Sequence, residues 1–333
     1  MTDTPFLNPG NLGLPWIDSP LFPAQLADMQ APAELATLAQ QFRTDGFLVL
    51  NDWIEGDLID AIVEDSKRFY DPRAIFDDLP PQVVRLLKQG LEQEHSCRVQ
   101  DAWWVSPAVR KLACHPRVTE LLSFLYQRQP IPFQTLNFPV GSEQEVHADT
   151  IHFDSLPSGF MCGVWVALED VAADAGPVIY YPGSQRLPVV RLEHLQCWAE
   201  DSTVAAGDNY TRFASYARKA AANGDFELKR LEVPKGTVLV WSANLLHGGS
   251  PIERPGASRH SQVTHYFFED CAYIAPVLSN VAIGDLFLRD VWDLGRECHV
   301  PHRIGGRTLE SVGETGKLQR LMAAPDRSGP EPG

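Results

Sequence analysis

Basic residues, paired cysteines and long apolar runs are all scarce in this chain. Its 333 residues carry 28 Lys and Arg against 43 Asp and Glu, a formal net charge of −15. So acidic a surface does not suit nucleic acid or an anionic membrane, both of which are bound through clustered cations. An anionic small molecule in a locally basic pocket is still compatible with it. The cysteines (Cys97, Cys114, Cys162, Cys197, Cys271 and Cys298) are scattered, with no Cys-x-x-Cys pair. That scatter fits the reduced thiols of a cytoplasmic protein rather than a disulfide framework or a cysteine zinc site. No basic segment followed by an apolar run opens the sequence, so no signal peptide is expected. The longest apolar run, residues 159–168, is far too short to cross a bilayer. There is no internal repeat and no low-complexity linker. The expected partner is a small-molecule substrate, with no nucleic acid and no membrane.

The hydrophobic content of 44% beside 21% charged residues is that of a globular protein, and the length supports a sizeable core. Residues 1–32, rich in Pro and Gly with little periodicity, read as an irregular arm on the surface. Leu35, Leu38, Ala39 and Phe42 then recur at helical spacing, and Asp45-Gly46 closes that helix. Phe47 to Asn51 read as a short buried strand. A second helix carries Leu58, Ile59, Ile62, Val63 and Phe69, and further helical segments are expected within 78–96 and 105–128. At Pro130 the character changes. Strands are expected at 132–140, 145–153, 159–168, 178–181, 236–241, 245–249 and 258–268. Residues 186–230 form an insertion with a helix at 210–223, placed to lie over the site. The tail beyond Asp270 alternates short apolar runs with polar loops, and 324–333 is expected to be disordered. The expectation is one domain over 33–323, mainly β with flanking helices, and a β-core over about 130–270.

The stretch 146–157 reads Val-His-Ala-Asp-Thr-Ile-His-Phe-Asp-Ser-Leu-Pro. On a strand, residues two apart share a face, roughly 7 Å apart at their Cα atoms, so His147 and Asp149 can converge on one ion. His247 follows an apolar run far downstream. A His-x-Asp pair with one distant His is the sequence form of the two-His-one-carboxylate triad, which leaves three positions open on Fe(II). A second pair, His152 and Asp154, lies five residues on. An odd offset turns the two pairs to opposite faces of an unbroken strand, and parity alone does not choose between them.

Several blocks in order resemble the phytanoyl-CoA dioxygenase family of Fe(II)/2-oxoglutarate-dependent oxygenases. They are Gln134-Thr-Leu-Asn-Phe138, His147-Ala-Asp149-Thr-Ile-His-Phe, Gly163-Val-Trp-Val-Ala-Leu-Glu-Asp170 and Gly176-Pro-Val-Ile-Tyr-Tyr-Pro-Gly-Ser184. His247-Gly-Gly-Ser and Ser258-Arg-His-Ser-Gln-Val-Thr-His-Tyr-Phe-Phe268 continue the series, and Asp45-Gly46-Phe-Leu-Val-Leu50 looks like the family's N-terminal strand. The resemblance covers most of 40–270 and implies a double-stranded β-helix (jelly-roll, cupin-like) core. It assigns the metal to His147, Asp149 and His247 and leaves His152 and Asp154 supporting or structural roles. It also implies 2-oxoglutarate as cosubstrate, with O₂ consumed.

In such enzymes an arginine on a late strand holds the distal carboxylate of 2-oxoglutarate. Arg259, twelve residues after His247, is placed for it, with a planar fork that suits a carboxylate. Ser261 lies two residues on, hence on the same face, and Arg254, between Glu253 and Pro255, reads as a solvated turn. Amides on the strand before the metal motif touch the cosubstrate in similar enzymes. Gln134 and Asn137 fall there, only one of them inward on a regular strand, with Asn137 preferred. His265 shares the parity of Arg259 and Ser261. The implied reaction is hydroxylation of an unactivated C–H bond, with oxidative decarboxylation of 2-oxoglutarate to succinate and CO₂. Related halogenases carry a small residue in place of the carboxylate ligand, so Asp149 favours hydroxylation. The lack of a basic cluster suited to a CoA pyrophosphate favours a small metabolite or natural product. Two other readings stand beside this one: a metal-dependent cupin enzyme that does not use 2-oxoglutarate, and a non-catalytic jelly-roll binding protein.

Overall fold

The computed structural model describes residues 13–91, 97–199, 203–312 and 320–323. Its helices are α1 (Phe22–Asp28), α2 (Ala33–Asp45), α3 (Gly56–Phe69), α4 (Pro81–Gln89), α5 (Pro107–Ala113), α6 (Pro116–Tyr126) and α7 (Thr203–Asn223). Its strands begin with β1 (Phe47–Leu50), β2 (Val99–Gln100), β3 (Pro130–Phe138), β4 (Asp154–Leu156), β5 (Met161–Ala167) and β6 (Val178–Tyr180). They continue with β7 (Lys229–Arg230), β8 (Val238–Ser242), β9 (His247–Gly249), β10 (Ser261–Phe268) and β11 (Ala272–Ile274). Five short strands follow: β12 (Val291–Asp293), β13 (Cys298–Val300), β14 (Arg303–Ile304), β15 (Arg307–Val312) and β16 (Arg320–Ala323).

A six-stranded antiparallel sheet in the order β1-β8-β5-β10-β3-β2 dominates, with a three-stranded sheet β7-β6-β9. Antiparallel sheets with one wet face alternate apolar and polar residues. Here β5 reads Met-Cys-Gly-Val-Trp-Val-Ala and is buried throughout, because both faces of the large sheet are covered. Trp165, Ala167, Leu239, Trp241 and Val263 meet Val178 and Tyr180 of the small sheet in one apolar cluster. Val164, Val166, Val238 and Val240 belong to a second cluster with Phe42, Ile59, Ile62, Leu112 and Leu122 of the helices. Each such side chain, taken fully out of water, contributes about 1.5–3 kcal/mol. One irregularity falls near the cavity described below. The β3–β10 register shifts between His265 and Tyr266, leaving Phe133 as the extra residue.

Helix boundaries follow local chemistry. Gly46 ends α2 at φ 79°, a left-handed conformation in which a side chain is strained. The expected helical stretch 105–128 divides at His115-Pro116, where Pro116 opens α6.

Three expectations are corrected. Residues 1–32 were expected as an irregular surface arm, yet 22–28 form α1, with Trp16, Ile17, Phe22 and Leu26 in the core. Pro23 at the start of α1 lacks only a hydrogen bond that a first turn never makes. Residues 145–153 are not one strand. His147 makes an isolated bridge to His247, and Asp149–Ile151 form a 3₁₀ turn. The insertion helix begins at Thr203, ahead of the expected 210. The expected disorder of 324–333 lies outside the described residues.

Candidate metal centre

Two backbone hydrogen bonds start the site. His147 N donates to His247 O at 2.9 Å, and His247 N donates to His147 O at 2.9 Å. This reciprocal pair brings residues one hundred positions apart side by side, with imidazole centroids 4.4 Å apart. The chain then leaves the bridge through Ala148 into the 3₁₀ turn, which swings Asp149 beneath both rings. Asp149 Oδ1 lies 3.8 Å from His147 Nε2 and 3.8 Å from His247 Nε2. One donor atom from each residue falls within 4.8 Å of the others, and all three residues are buried.

Their neighbours fix how these donors face. His147 Nδ1 is 2.8 Å from Glu145 O, and His247 Nδ1 is 2.9 Å from Leu245 O. Each ring therefore carries its proton on Nδ1 toward the carbonyl two residues back and turns the Nε2 lone pair to the centre. Trp241 Nε1 donates to Asp149 Oδ2 at 2.7 Å, leaving Oδ1 toward the histidines. Burial pushes both histidines down to about 4, so the rings are neutral at physiological pH, as a metal ligand must be. Two imidazole nitrogens and one carboxylate oxygen suit a mid-row divalent transition metal. Calcium and magnesium prefer oxygen alone, and a structural zinc takes four protein ligands.

The triad opens into a cavity of about 220 Å³ between the two sheets. Gln134, Leu136 and Phe138 of β3, Trp165, Trp241, Val263 and His265 line it from the large sheet, and Val178, His247 and Gly248 from the small one. Arg259 reaches this cavity from the segment entering β10 and is 1% exposed. Its Nη2 is 3.4 Å from Val140 O, while Nε and Nη1 have no hydrogen-bond partner among the described residues. Phe138 and Trp165 rings flank the guanidinium at 5.8 and 5.7 Å. Burial pulls its pKa down to about 10, so it stays charged. A buried cation with two unmatched donors is costly unless an anion meets it, and this tests the fit of an acidic cosubstrate on the chain's own atoms. The Ser261 hydroxyl, also buried and unpartnered, shares the inward parity of Val263 but does not line the cavity. Arg254 lies on the surface, paired with Asp174 at 2.9 Å.

Of the two amides, the structure places Gln134 in the cavity and Asn137 on the opposite face, with Asn137 Nδ2 donating to Gln262 Oε1 at 3.3 Å. Gln134 Oε1 is 3.0 Å from His265 Nδ1, and His265 Nε2 is 3.9 Å from Asp149 Oδ2. The 3₁₀ turn also separates the second His-x-Asp pair. His152 lines the cavity and stacks on Tyr210 of α7, ring centroids 4.9 Å apart. Asp154 is buried elsewhere, paired with Arg191 at 3.0 Å and accepting from Ser158 and two backbone amides. Sequence reasoning missed Trp241 as the carboxylate's anchor and missed Arg98, Gln100, Gln144 and Arg289 on the cavity wall. The one available signal was Gly163, a glycine in an apolar strand, which often marks a close approach.

A family model described as phytanoyl-CoA dioxygenase matches residues 42–261, more than half of the chain and both ends of the triad. The chain belongs to the phytanoyl-CoA dioxygenase family. Among curated relatives in this family, phytanoyl-CoA dioxygenase domain-containing protein 1 of Mus musculus is 25% identical over 179 residues, covering 50% of this chain and 55% of its own. The Danio rerio protein of the same name is 26% identical over 131 residues, covering 38% and 43%. The chain thus matches about half the length of these relatives. Among solved structures, the epimerase SnoN in complex with Fe³⁺, alpha ketoglutarate and nogalamycin RO aligns over 87% of this chain and 99% of its own, with TM-score 0.53 and 18% identity. The non-heme alpha ketoglutarate dependent carbocyclase SnoK aligns over 88% and 96%, with TM-score 0.53 and 17% identity. At such identities these two show that the dioxygenase-family fold is shared.

Proposed function

We propose that this family member is an Fe(II)- and 2-oxoglutarate-dependent oxygenase that hydroxylates an unactivated C–H bond of a small molecule. The observation that carries the reading is the buried Arg259 guanidinium, two donors unmatched, in the same cavity as the His147–Asp149–His247 triad. In this reading the two sheets form a double-stranded β-helix within one oxygenase domain, which takes in Trp16 and α1 as well as the expected 33–323. The six free cysteines support a reducing, cytoplasmic setting.

The triad would hold the iron, which with 2-oxoglutarate and O₂ supplies an oxidant, coupling decarboxylation to succinate and CO₂ to oxidation of the substrate. The chain's own residues do the rest. Arg259 offers its fork to the distal carboxylate of the cosubstrate, with Phe138 and Trp165 keeping water from that pair. Gln134 holds His265 in one tautomer at the wall. Trp241 fixes the carboxylate of Asp149, and the two Glu145 and Leu245 carbonyls fix the imidazoles. Two neighbours of this fold are an epimerase and a carbocyclase. Outcome is set by how the substrate is held, and the small cavity is shaped for a small metabolite or natural product.

The test is an anaerobic titration of the metal-free protein with Fe(II) and 2-oxoglutarate, following the visible charge-transfer band of the chelate. A band is expected in the wild-type protein and none in His247→Ala. Arg259→Ala is expected to need about ten- to a hundredfold more 2-oxoglutarate, the loss of a hydrogen-bonded charge. Iron binding without a band would favour a cupin enzyme that does not use 2-oxoglutarate. Failure to bind iron would favour a non-catalytic binding protein.

A further inference from the structure

The cavity holds more positive charge than the iron and cosubstrate of the proposed reaction answer. Its lining includes three guanidinium groups, Arg98, Arg259 and Arg289, against one carboxylate, Asp149. The wall is therefore cationic by two charges in a chain of net charge −15. Fe(II) would be answered by Asp149 and one carboxylate of 2-oxoglutarate, and Arg259 by the other carboxylate. Arg98 and Arg289 are left unanswered.

Several arginines outside the cavity pair with acids, while others, such as Arg117 and Arg128, donate to backbone carbonyls near the surface. Arg191 pairs with Asp154 at 3.0 Å, Arg218 with Glu145 at 2.7 Å, and Arg254 with Asp174 at 2.9 Å. Among the described residues, the two cavity arginines do not. Arg289, in the segment before β12, donates Nε and Nη2 to His152 O at 3.3 and 3.0 Å and lies 4.3 Å over the Phe153 ring. A carbonyl positions that guanidinium without neutralising it. Arg98, just before β2, has no side-chain hydrogen bond or ion pair among the described residues. Both are partly buried, where an unpaired cation is costly and an arriving anion is correspondingly favoured.

We propose that the substrate is itself a small anion whose carboxylate or phosphate group is gripped by Arg98 and Arg289, so that its uncharged end is turned toward the triad. This rests on the reading above and names its substrate class. At about 220 Å³ the cavity is smaller than the roughly 300–1,000 Å³ that drug-sized ligands occupy, so it takes a small acid or the acidic end of a longer one. Arg98 and Arg289 act as specificity residues: they select for charge and set which carbon is presented.

The experiment uses butyrate and methyl phosphate as probes and butyramide as the neutral control, at fixed ionic strength. Each is titrated into the anaerobic Fe(II)·2-oxoglutarate protein, following both heat and the charge-transfer band, and by calorimetry into the metal-free protein. The proposal expects at least one anion to bind with the band retained, about tenfold more tightly than butyramide. Arg98→Gln should weaken that anion by about tenfold while leaving the 2-oxoglutarate requirement unchanged. Arg289→Lys, which keeps the charge and loses the fork, gives a second reading independent of how well either variant packs. The preferred probe identifies the oxyanion. Binding of neither anion, equal binding of butyramide, or affinity indifferent to both substitutions overturns the proposal. So does an anion that abolishes the band, because it would then occupy the cosubstrate's place. If the wild-type protein forms no band, the oxygenase reading fails, and the metal-free calorimetry still decides whether these arginines bind an anion.

Discussion

The indole N–H of Trp241 lies 2.7 Å from Asp149 Oδ2, and that bond decides which carboxylate oxygen faces the two imidazoles. Trp241→Phe keeps an aromatic ring, smaller than the indole, and loses the donor. It is expected to weaken Mn(II) or Fe(II) binding about ten- to a hundredfold, the range for groups that orient a ligand, and to lower the thermal midpoint of the metal-free protein by leaving a buried carboxylate oxygen unmatched. Gly163 is the other half of this arrangement. A Cβ there would sit 2.3 Å from the Trp241 indole carbons, so Gly163→Ala displaces the ring. That variant is expected to lose about 1–3 kcal/mol by overpacking, read by urea unfolding, and to bind metal more weakly as well. The ligands themselves were legible in the sequence as a His-x-Asp pair and a distant His. The choice of pair came from a resemblance, because the parity argument assumed an unbroken strand and the chain puts a 3₁₀ turn at Asp149–Ile151. Gln134 and Asn137 could be separated only by knowing the register of β3, and that places Gln134 inward.

Single elements carry their own signals where apolar spacing and end chemistry agree. Ser106 accepts from Val109 N at 3.1 Å at the start of α5 and donates to Asp65 Oδ2 of α3 at 2.5 Å. Ser106→Ala removes a helix cap and a tie between two helices at once, so a cost of about 2 kcal/mol, the upper end for caps, is expected from denaturant midpoints. The helices with regular stripes, α2 and α3, and the wholly apolar β5 stand close to where spacing alone puts them. Others do not, for stated reasons. α1 is hidden behind prolines that start a helix as readily as they break one. Residues 145–153 have the composition of a strand, but Thr150 N bonds to Ala243 O at 3.2 Å, a tertiary partner that local propensity does not contain.

At the scale of the whole molecule, burying so many imidazoles at one place makes stability depend on pH. Burial holds His147, His247 and His265 at about 4, against about 6.5 for an exposed histidine. Between those two values the unfolded chain binds more protons than the folded one, so stability falls as pH falls. The urea midpoint of the metal-free protein is expected to decline steadily from about pH 6.5 to about pH 4. A bound metal ion should oppose the decline, since it competes with protons for the same nitrogens. A β-core flanked by helices was readable from periodicity because strands such as β5 and β8 are buried on both faces and nearly wholly apolar, whereas the jelly-roll class came from the resemblance. The far wall of the cavity was not readable, because Arg98 and Arg289 approach it from outside the sheets, in stretches whose pattern says little.

The reciprocal hydrogen bonds between His147 and His247 also impose an order on the protein's own synthesis. A nascent chain that has emerged only as far as Leu246 owns two of the three donors and has no strand to clasp them. The third donor and the bridge that aligns it arrive together, about a hundred residues later. At a typical rate of roughly 5–20 residues per second, that is a delay of several seconds. Throughout that interval a redox-active ion finds no complete seat, and the chain acquires its metal centre only once the two segments have met.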